Sequence, residues 1–396
     1  MGRLNATVSP KVLDAIHVNV ERADLSNREL AQAVAELSRI FTKDRDGLNG
    51  SYLNDRFLGP AYLQYFLPVN LAKIQVLLDE MPTPEVDEGF SVLDLGAGPG
   101  TGALAVLDWW HQRELHCTLS VTAIDGSAEA LRQARQLWDR YCQAASVRAA
   151  SLQAYGGDLE RRVWLEQVKP RAPFDLIILA NCLNEVYTEA HDSTAMRTGL
   201  IAESLSLLAP HGTVMIVEPA LRETSRELLH VRDRLLQEKS CTVYSPCLHE
   251  LSCPALVKLD DWCHEERPWE PPVIIQEIGE SVGFIKDALK FSYLLLRKDA
   301  RTIVERQPDV YRVVSELRAM KGEKRAWLCN EQGRQEVGRQ DRLASRCNEA
   351  FNQWHRGAIV QIEKIVHRER RGKLSRLGRL ERDAEVQIVR SVWPMQ

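Results

Sequence analysis

Val92-Leu93-Asp94-Leu95-Gly96-Ala97-Gly98-Pro99-Gly100-Thr101-Gly102 is the stretch on which the fold turns. An apolar run, Phe90–Leu95, has the length of a buried strand, and Thr101–Gln112 reads as a helix. Between them sit alternating glycines. Without a Cβ the backbone can turn sharply and come close to a ligand, and the first N–H groups of the helix have no partner within it. In open parallel sheets ligands lie outside the carboxyl ends of the strands, where this loop falls. Two frames fit. Gly98, Gly100 and Ala103 satisfy the dinucleotide pattern G-x-G-x-x-G/A, whereas the frame from Gly96 reads G-x-G-x-G and closely follows Asp94.

Working outward, strands alternate with helices. Thr118–Ile124 reads as a strand, Ala128–Tyr141 as a helix, Phe174–Ala180 as a strand, Met196–Ala209 as a helix and Gly212–Glu218 as a strand. Such alternation implies a parallel sheet covered on both faces. A further helix at Arg222–Glu238 and a last strand at Ala288–Leu296 complete it. The Gly96 frame resembles the S-adenosylmethionine loop of class I methyltransferases. That resemblance implies an acid at the end of the second strand to hold the ribose, and Asp125 stands there, although a nicotinamide enzyme would also use one. Leu208-Ala209-Pro210-His211-Gly212 before an apolar strand resembles the fifth-strand region of the same superfamily. Gly156-Gly157-Asp158 is either an adenine contact or a surface turn. After the fourth strand, Ala180-Asn181-Cys182-Leu183-Asn184-Glu185 lacks the Asn/Asp-Pro-Pro-aromatic element of amino-methylating enzymes. Cys182 lacks the setting of a cytosine-C5 nucleophile and reads as an apolar filler.

Residues 1–85 read as helical: Ser9-Pro10 starts one helix, Ser26 with Glu29 forms a capping box for another, and Tyr52–Leu78 is apolar at helical spacing, broken near Gly59-Pro60 and Pro68. The organisation expected is a helical region at 1–85, a methyltransferase-like domain at 86–297 with a cysteine-rich insertion at 241–272, and a basic region at 298–396. The 396 residues carry a net charge of −4. That sum hides a split, because residues 297–396 hold 23 Lys+Arg against 14 Asp+Glu, or +9, leaving −13 for the rest. Such asymmetry points to a polyanionic partner. No apolar run is long enough to span a membrane. The N-terminus lacks an apolar signal core, and Asp14, Glu21 and Asp24 argue against a transit peptide. Nine cysteines fit a reducing compartment, so the expected location is a bacterial cytoplasm.

Three of those cysteines are grouped. Cys247-Leu248-His249-Glu250-Leu251-Ser252-Cys253-Pro254 is followed by Asp261-Trp262-Cys263-His264. Three thiols in a polar, Pro- and Trp-rich loop point to metal binding. Paired C-x-x-C knuckles are absent, and wide, irregular thiolate spacing suits an iron–sulfur cluster with four cysteines. Cys329, Cys241 and Cys347 are candidates for the fourth ligand, with Cys329 favoured for its strand-and-turn context. Zinc on Cys247, Cys253, Cys263 and His249 or His264 is the alternative.

The basic region interleaves Arg and Lys with Trp327, Phe351, Trp354 and His355, and His367–Arg379 holds six basic residues to one acid. Cations neutralise phosphates and planar groups stack on unpaired bases, so RNA is the expected partner.

Tyr62-Leu63-Gln64-Tyr65-Phe66-Leu67-Pro68, the loop Asp94–Gly102, Glu218-Pro219, Cys247–Pro254, Trp262-Cys263-His264 and Ser292-Tyr293-Leu294, in this order, resemble the methyltransferase-like proteins of the mitochondrial ribosomal small subunit and their bacterial relatives. The likeness covers roughly residues 50–335. It implies an α/β fold: a class I methyltransferase-like Rossmann sheet with an N-terminal helical lead, a cysteine-rich metal-binding insertion and a small basic C-terminal region. It implies binding to the small ribosomal subunit and its rRNA, S-adenosylmethionine held by Asp94, Gly96, Ala97, Gly98, Gly100, Asp125 and Asn181, and a [4Fe–4S] cluster on Cys247, Cys253, Cys263 and Cys329. The function expected is an S-adenosylmethionine-dependent rRNA methyltransferase, with no catalytic residue assigned and the protein monomeric when free. A non-catalytic assembly factor is the alternative, and a nicotinamide and iron–sulfur oxidoreductase a distant third.

Overall fold

A computed structural model of the chain describes residues 8–20, 25–44, 50–84, 89–284, 287–370 and 373–392. Glu21, Asp24, Arg371 and Gly372, which enter the readings above, lie outside them.

The helical lead comprises α1 (Pro10–Val20), α2 (Asn27–Thr42), α3 (Leu58–Ala61) and α4 (Leu67–Glu80). The capping box starts α2 as expected: the Glu29 N–H donates to Ser26 Oγ at 3.3 Å and the Ser26 N–H to Glu29 Oε2 at 2.9 Å. Between α3 and α4, Tyr62–Phe66 forms a π-helical turn. These helices bury Val12, Leu37, Leu71 and Ile74 in the hydrophobic core on one side of the central sheet.

That sheet has the order β3-β2-β1-β4-β5-β8-β6, with β7 also paired to β8. Its strands are β1 (Gly89–Leu95), β2 (Thr118–Asp125), β3 (Ala150–Gly156), β4 (Phe174–Ala180), β5 (Leu208–Pro219), β6 (Thr242–Ser245), β7 (Glu265–Pro268) and β8 (Ala288–Arg297). Pairing is parallel from β3 through β5, and β8 runs antiparallel to β5, with Glu218 opposite Ser292. Helices α5 (Thr101–Gln112), α6 (Ala128–Ala145), α7 (Val163–Val168), α8 (Ser193–Ser206), α9 (Arg222–Gln237) and α10 (Val273–Val282) connect them. The inner strands are almost wholly buried, as a sheet covered on both faces requires. The chain thus forms the α/β sheet anticipated, plus β3, a half-buried edge strand that the sequence did not announce.

The basic region folds into a second eight-stranded sheet. Strands β9 (Val310–Val313), β10 (Arg318–Met320), β11 (Glu323–Asn330), β12 (Gly333–Gln340), β13 (Ile359–Ile362), β14 (Val366–Arg370), β15 (Lys373–Arg379) and β16 (Val386–Arg390) are ordered β14-β15-β12-β11-β9-β13-β16, with β10 on β11. It has its own core of Val313, Leu328, Val337, Phe351, Trp354 and Val360. Phe351 and Trp354 are therefore core residues and not base-stacking groups; the rings that looked interleaved with charge are what the charged strands close over. Trp327 is half-buried, with the Arg334 guanidinium 5.2 Å from its ring centre.

A buried charge network joins the three parts. Glu80 of α4 pairs with Arg267 of β7, Glu265 of β7 pairs with Arg312 of β9, and the Tyr293 hydroxyl of β8 bonds to Glu80 Oε1 at 2.5 Å and accepts from Arg312 at 3.0 Å. Burial alone would raise the Glu80 pKa, but Arg267 and Arg312 pull it down to about 2. Each buried charge has a partner, the condition under which such groups are tolerated.

Candidate cofactor cleft and cysteine cavity

A cleft of about 900 Å³ opens at the carboxyl ends of β1, β2, β4 and β5, and its lining includes Asp94, Gly96, Ala97, Gly98, Asp125 and Asn181. The sheet's connections reverse between β1 and β4, the place where open α/β sheets bind ligands. Gly96 has φ +68°, and a Cβ there would stand 2.6 Å from the Cys182 Cβ, so only glycine fits against the β4 loop. Gly100 does not line the cleft. It starts α5 at φ +85° and packs on Ala134, where a Cβ would come within 2.9 Å of that residue's own. Its part is to let α5 lie against α6.

The acids are held from behind. Asp94 is buried and accepts the Ala103 N–H at 2.9 Å. Burial raises its pKa to about 7, the Ala103 bond opposes the rise, and the charge of Asp125 adds to it. Asp125 accepts the Gly98 N–H at 2.8 Å and the Ser127 N–H at 2.8 Å, and burial raises its pKa as well. Asp158 lies outside the lining in an exposed turn, where it accepts the Glu160 N–H at 2.9 Å.

The Asn181–Glu185 loop also borders the cleft. Asn181 has φ +56°, and its N–H donates to the Val217 carbonyl at 2.7 Å. Glu218 at the end of β5, unassigned from the sequence, anchors this loop: it accepts from the Leu183 N–H at 3.1 Å, the Asn184 N–H at 3.2 Å and the Asn184 side-chain amide. Burial pushes the Glu218 pKa up to about 8 against those bonds. Arg197 holds the loop from the other side through the Val186 carbonyl at 3.0 Å and the Asn184 carbonyl at 3.2 Å. A lone acid closing an apolar strand was the available signal for Glu218. Cys182 is buried, its thiol 3.2 Å from the Leu95 carbonyl, and burial raises its pKa, which fits a filler better than a nucleophile.

Opposite the glycine loop, the helical lead contributes Phe41, Tyr52, Tyr62 and Phe66. Their rings form one cluster, with Phe41 5.1 Å from Phe66 edge-on and Tyr62 stacked on Phe66 at 6.1 Å. Sequence reasoning read Tyr52, Tyr62 and Phe66 as part of an apolar helical stretch and made no reading of Phe41.

The second cavity, of about 60 Å³, lies between the two sheets and is lined by Cys247, Cys253, Cys263 and Cys329 together. The first three come from the insertion and the fourth from β11. Cys241 and Cys347, the other candidates, do not line it. Burial raises the pKa of the Cys263 thiol to about 11 and also pushes up those of Cys253 and Cys329. Cations surround the thiols. Arg232, fully buried, donates to the Leu251 carbonyl at 2.9 Å and pairs with Asp233, which in turn accepts the Cys253 N–H at 2.9 Å. Arg334 and Arg356 act on Cys263 from the second sheet. His249 Nε2 is 3.7 Å from the Cys329 thiol, whereas His264 turns to Glu266 at 3.2 Å. Among the described residues, no three His, Cys, Asp or Glu side chains are grouped closely enough to chelate a single metal ion. The thiols line a space and do not converge on a point.

The strand order, with antiparallel β8 between β5 and β6, and the glycine loop ending β1 define a protein of the class I methyltransferase fold. Residues 58–341 match the family described as mitochondrial small ribosomal subunit Rsm22, and the chain belongs to that family. No curated protein matches it. Similar solved structures include an O-methyltransferase family protein from Burkholderia thailandensis at 14% identity, covering 66% of this chain and 64% of that one, with TM-score 0.32. The CurJ carbon methyltransferase matches at 15% identity over 74% of this chain and 72% of its own, TM-score 0.35. The mitomycin 7-O-methyltransferase MmcR matches at 12% identity over 68% and 67%, TM-score 0.37. The chain thus spans slightly less than two thirds of the first of these. No helix among the described residues is long and apolar enough to cross a membrane.

Proposed function

We propose that this chain binds S-adenosylmethionine and acts on the RNA of the small ribosomal subunit, with a [4Fe–4S] cluster on Cys247, Cys253, Cys263 and Cys329. The observation that carries the first part is the convergence of Asp94, the Gly96–Gly98 turn, Asp125 and Asn181 on one open cleft. Asp94 is placed to meet the ammonium of the cofactor, Asp125 the ribose hydroxyls, and the Asn181–Glu185 loop the acceptor. When bound, S-adenosylmethionine supplies an electrophilic methyl group on a sulfonium. The chain's share is alignment, which by itself supplies much of such a rate. The family description supports the ribosomal partner, and the positive charge of residues 297–396 supports RNA as the element touched. The reading puts the protein in a bacterial cytoplasm, monomeric between encounters with the subunit.

For the cluster, the donor set fits: four thiols line one small space, with Arg232, Arg334 and Arg356 at hand to balance the net negative charge of a thiolate-ligated cluster. Held there, the cluster would bond the insertion to β11. Anaerobically purified protein should absorb in the visible and bleach with dithionite. Colourless protein with stoichiometric zinc would refute this part and favour the zinc site.

One observation favours a non-catalytic assembly factor as the second reading. In the loop facing the acceptor, the Asn184 amide is committed to Glu218, and loop and anchor satisfy one another. Transfer of labelled methyl from S-adenosylmethionine to small subunits isolated from a deletion strain separates the two. Label in the rRNA establishes the enzyme; particle association without label establishes the assembly factor.

A further inference from the structure

The cleft has two walls of different chemistry, and the proposed cofactor accounts for only one. The strand-end wall offers the carboxylates Asp94, Asp125 and Glu185, its one lysine, Lys290, being paired with Glu266 at 3.7 Å, and so suits S-adenosylmethionine, whose sulfonium and ammonium outnumber its single carboxylate. The helical wall offers Phe41, Tyr52, Tyr62 and Phe66 with Asn70 and Lys73. A lysine beside a cluster of rings does not suit a net cation; it suits a planar base that carries a phosphate. At about 900 Å³ the cleft is at the upper end of the range for small-molecule sites, roughly 300–1,000 Å³, and has room for a second occupant.

The backbone supports the same division. All four rings are half-buried at the margin of the first core, whereas their neighbour Tyr65 is fully buried. The π-helical turn Tyr62–Phe66 widens the helix where two of them, Tyr62 and Phe66, leave it, and such turns are frequent at functional sites. It sets Tyr62 and Phe66 nearly parallel, with 20° between their planes. The rings stand 5.1–6.2 Å apart, so a base would lie on the outer face of the cluster and not between its members. Lys73, whose ammonium donates to Asn70 Oδ1 at 2.9 Å, stands about two helical turns beyond Phe66 and three beyond Tyr62.

We infer that the aromatic wall of the helical lead is a subsite for an unpaired nucleobase of single-stranded RNA, stacked on Tyr62 and its neighbours with the backbone phosphate at Lys73. This rests on the cofactor occupying the strand-end wall, and it names the face on which the acceptor is presented. The same stacking chemistry could instead serve the adenine of the cofactor, and the experiment separates the two sources.

The probe is a single-stranded hexaribonucleotide containing 2-aminopurine, whose fluorescence is quenched on stacking, titrated into the full-length protein. S-adenosylhomocysteine affinity is measured in parallel by calorimetry. The unaltered protein should quench the probe. Tyr62→Leu and Lys73→Glu should each weaken its binding by at least about fivefold, in line with one lost stacking or phosphate contact, and Tyr62→Phe should restore it. S-adenosylhomocysteine affinity should change less than about threefold throughout. Absence of quenching by the unaltered protein would overturn the inference. So would a Tyr62→Leu variant that loses S-adenosylhomocysteine while keeping the probe, which would give the wall to the cofactor. Lys73→Glu keeps the rings in place, so the phosphate contact is read even if Tyr62→Leu folds poorly. If the unaltered protein binds no S-adenosylhomocysteine, the cofactor reading fails and the probe still decides the wall.

Discussion

The cleft takes Asp94 to Gly98 from a single turn and reaches Asp125 and Asn181 at the ends of the two strands flanking β1. The cysteine cavity draws three thiols from an irregular insertion and the fourth from a strand of another sheet. The first is open and shaped by backbone, with glycine at φ +68° and N–H groups aimed at carboxylates. The second is far smaller and shaped by side chains, its thiols held beside the buried Arg232 and the partly buried Arg334 and Arg356. A site built on backbone geometry persists without its ligand, whereas a set of thiols gathered beside cations depends more on what fills it. The two sites should therefore fail differently, and stability and cofactor affinity are the measurements that separate them.

The largest effect is expected at Cys329, the one thiol from the second sheet. Cys329→Ser should abolish the visible absorbance of anaerobically purified protein and lower the Tm by roughly 10 °C. That corresponds to a few kcal/mol, well within what a structural metal centre contributes. S-adenosylhomocysteine affinity should stay unchanged, and limited proteolysis should release the second sheet first. An unaltered Tm would break the contrast, making the cavity an ordinary thiol-lined piece of core.

Next comes the charge network that abuts this cavity through Glu265, Tyr293 and Arg312. Glu80→Gln takes from Arg267 the nearer of its two carboxylates, leaving Glu265 at 3.5 Å, and should cost about 2 kcal/mol in urea unfolding. Because the Glu80 pKa is depressed from 4.5 to about 2, its contribution is full above pH 4.5 and is lost as pH falls through 2. The variant should therefore show a shallower loss of stability between those values. A steep acid dependence in the variant would place the sensitive group elsewhere.

Legibility in the sequence follows the same divide. The glycine turn, Asp125 and the inner strands were readable because consecutive residues encode them, as apolar runs or fixed spacings. Strand β3 was missed because one of its faces is half-buried and the other largely exposed, and Ala150–Gly156 shows no apolar run. The second sheet was missed for a related reason. Gly333–Gln340 is nearly all polar and Arg318–Met320 is fully exposed, while the core is assembled from one or two residues of several short strands together with Phe351 and Trp354 from the segment between β12 and β13. The set Cys247, Cys253, Cys263 and Cys329 was named from the strand-and-turn context of Cys329 and the family resemblance, whereas the approach of β11 to the insertion is a property of the joint between sheets that no local pattern encodes. Tyr62 and Phe66 were read at α-helical spacing, and the π-helical turn alters which rings leave the core.

A smaller effect, confined to the cleft, is expected from Gly96→Ala. The added Cβ meets Cys182 at 2.6 Å in a backbone conformation that disfavours alanine, costing on the order of 1–3 kcal/mol. Displacing the turn should weaken S-adenosylhomocysteine binding by about tenfold or more while the visible absorbance is retained. Loss of absorbance in this variant would mean that cleft and cavity are coupled through the sheet.

The smallest and most specific effect is in the pH dependence of cofactor affinity. With its pKa raised to about 7, Asp94 is protonated in much of the free protein at neutral pH. An ammonium arriving beside it favours the carboxylate, so binding expels a proton below that pKa. Affinity for S-adenosylmethionine should rise with pH up to about 7, by as much as tenfold per unit, and level off above it. Asp94→Asn should bind more weakly above pH 7 and show no such rise. Asp125 is raised as well but bonds neutral hydroxyls in this reading, so Asp125→Asn should weaken binding and leave the slope in place. A slope that survives Asp94→Asn and disappears in Asp125→Asn would exchange the two roles, and with them the orientation of the cofactor in the cleft.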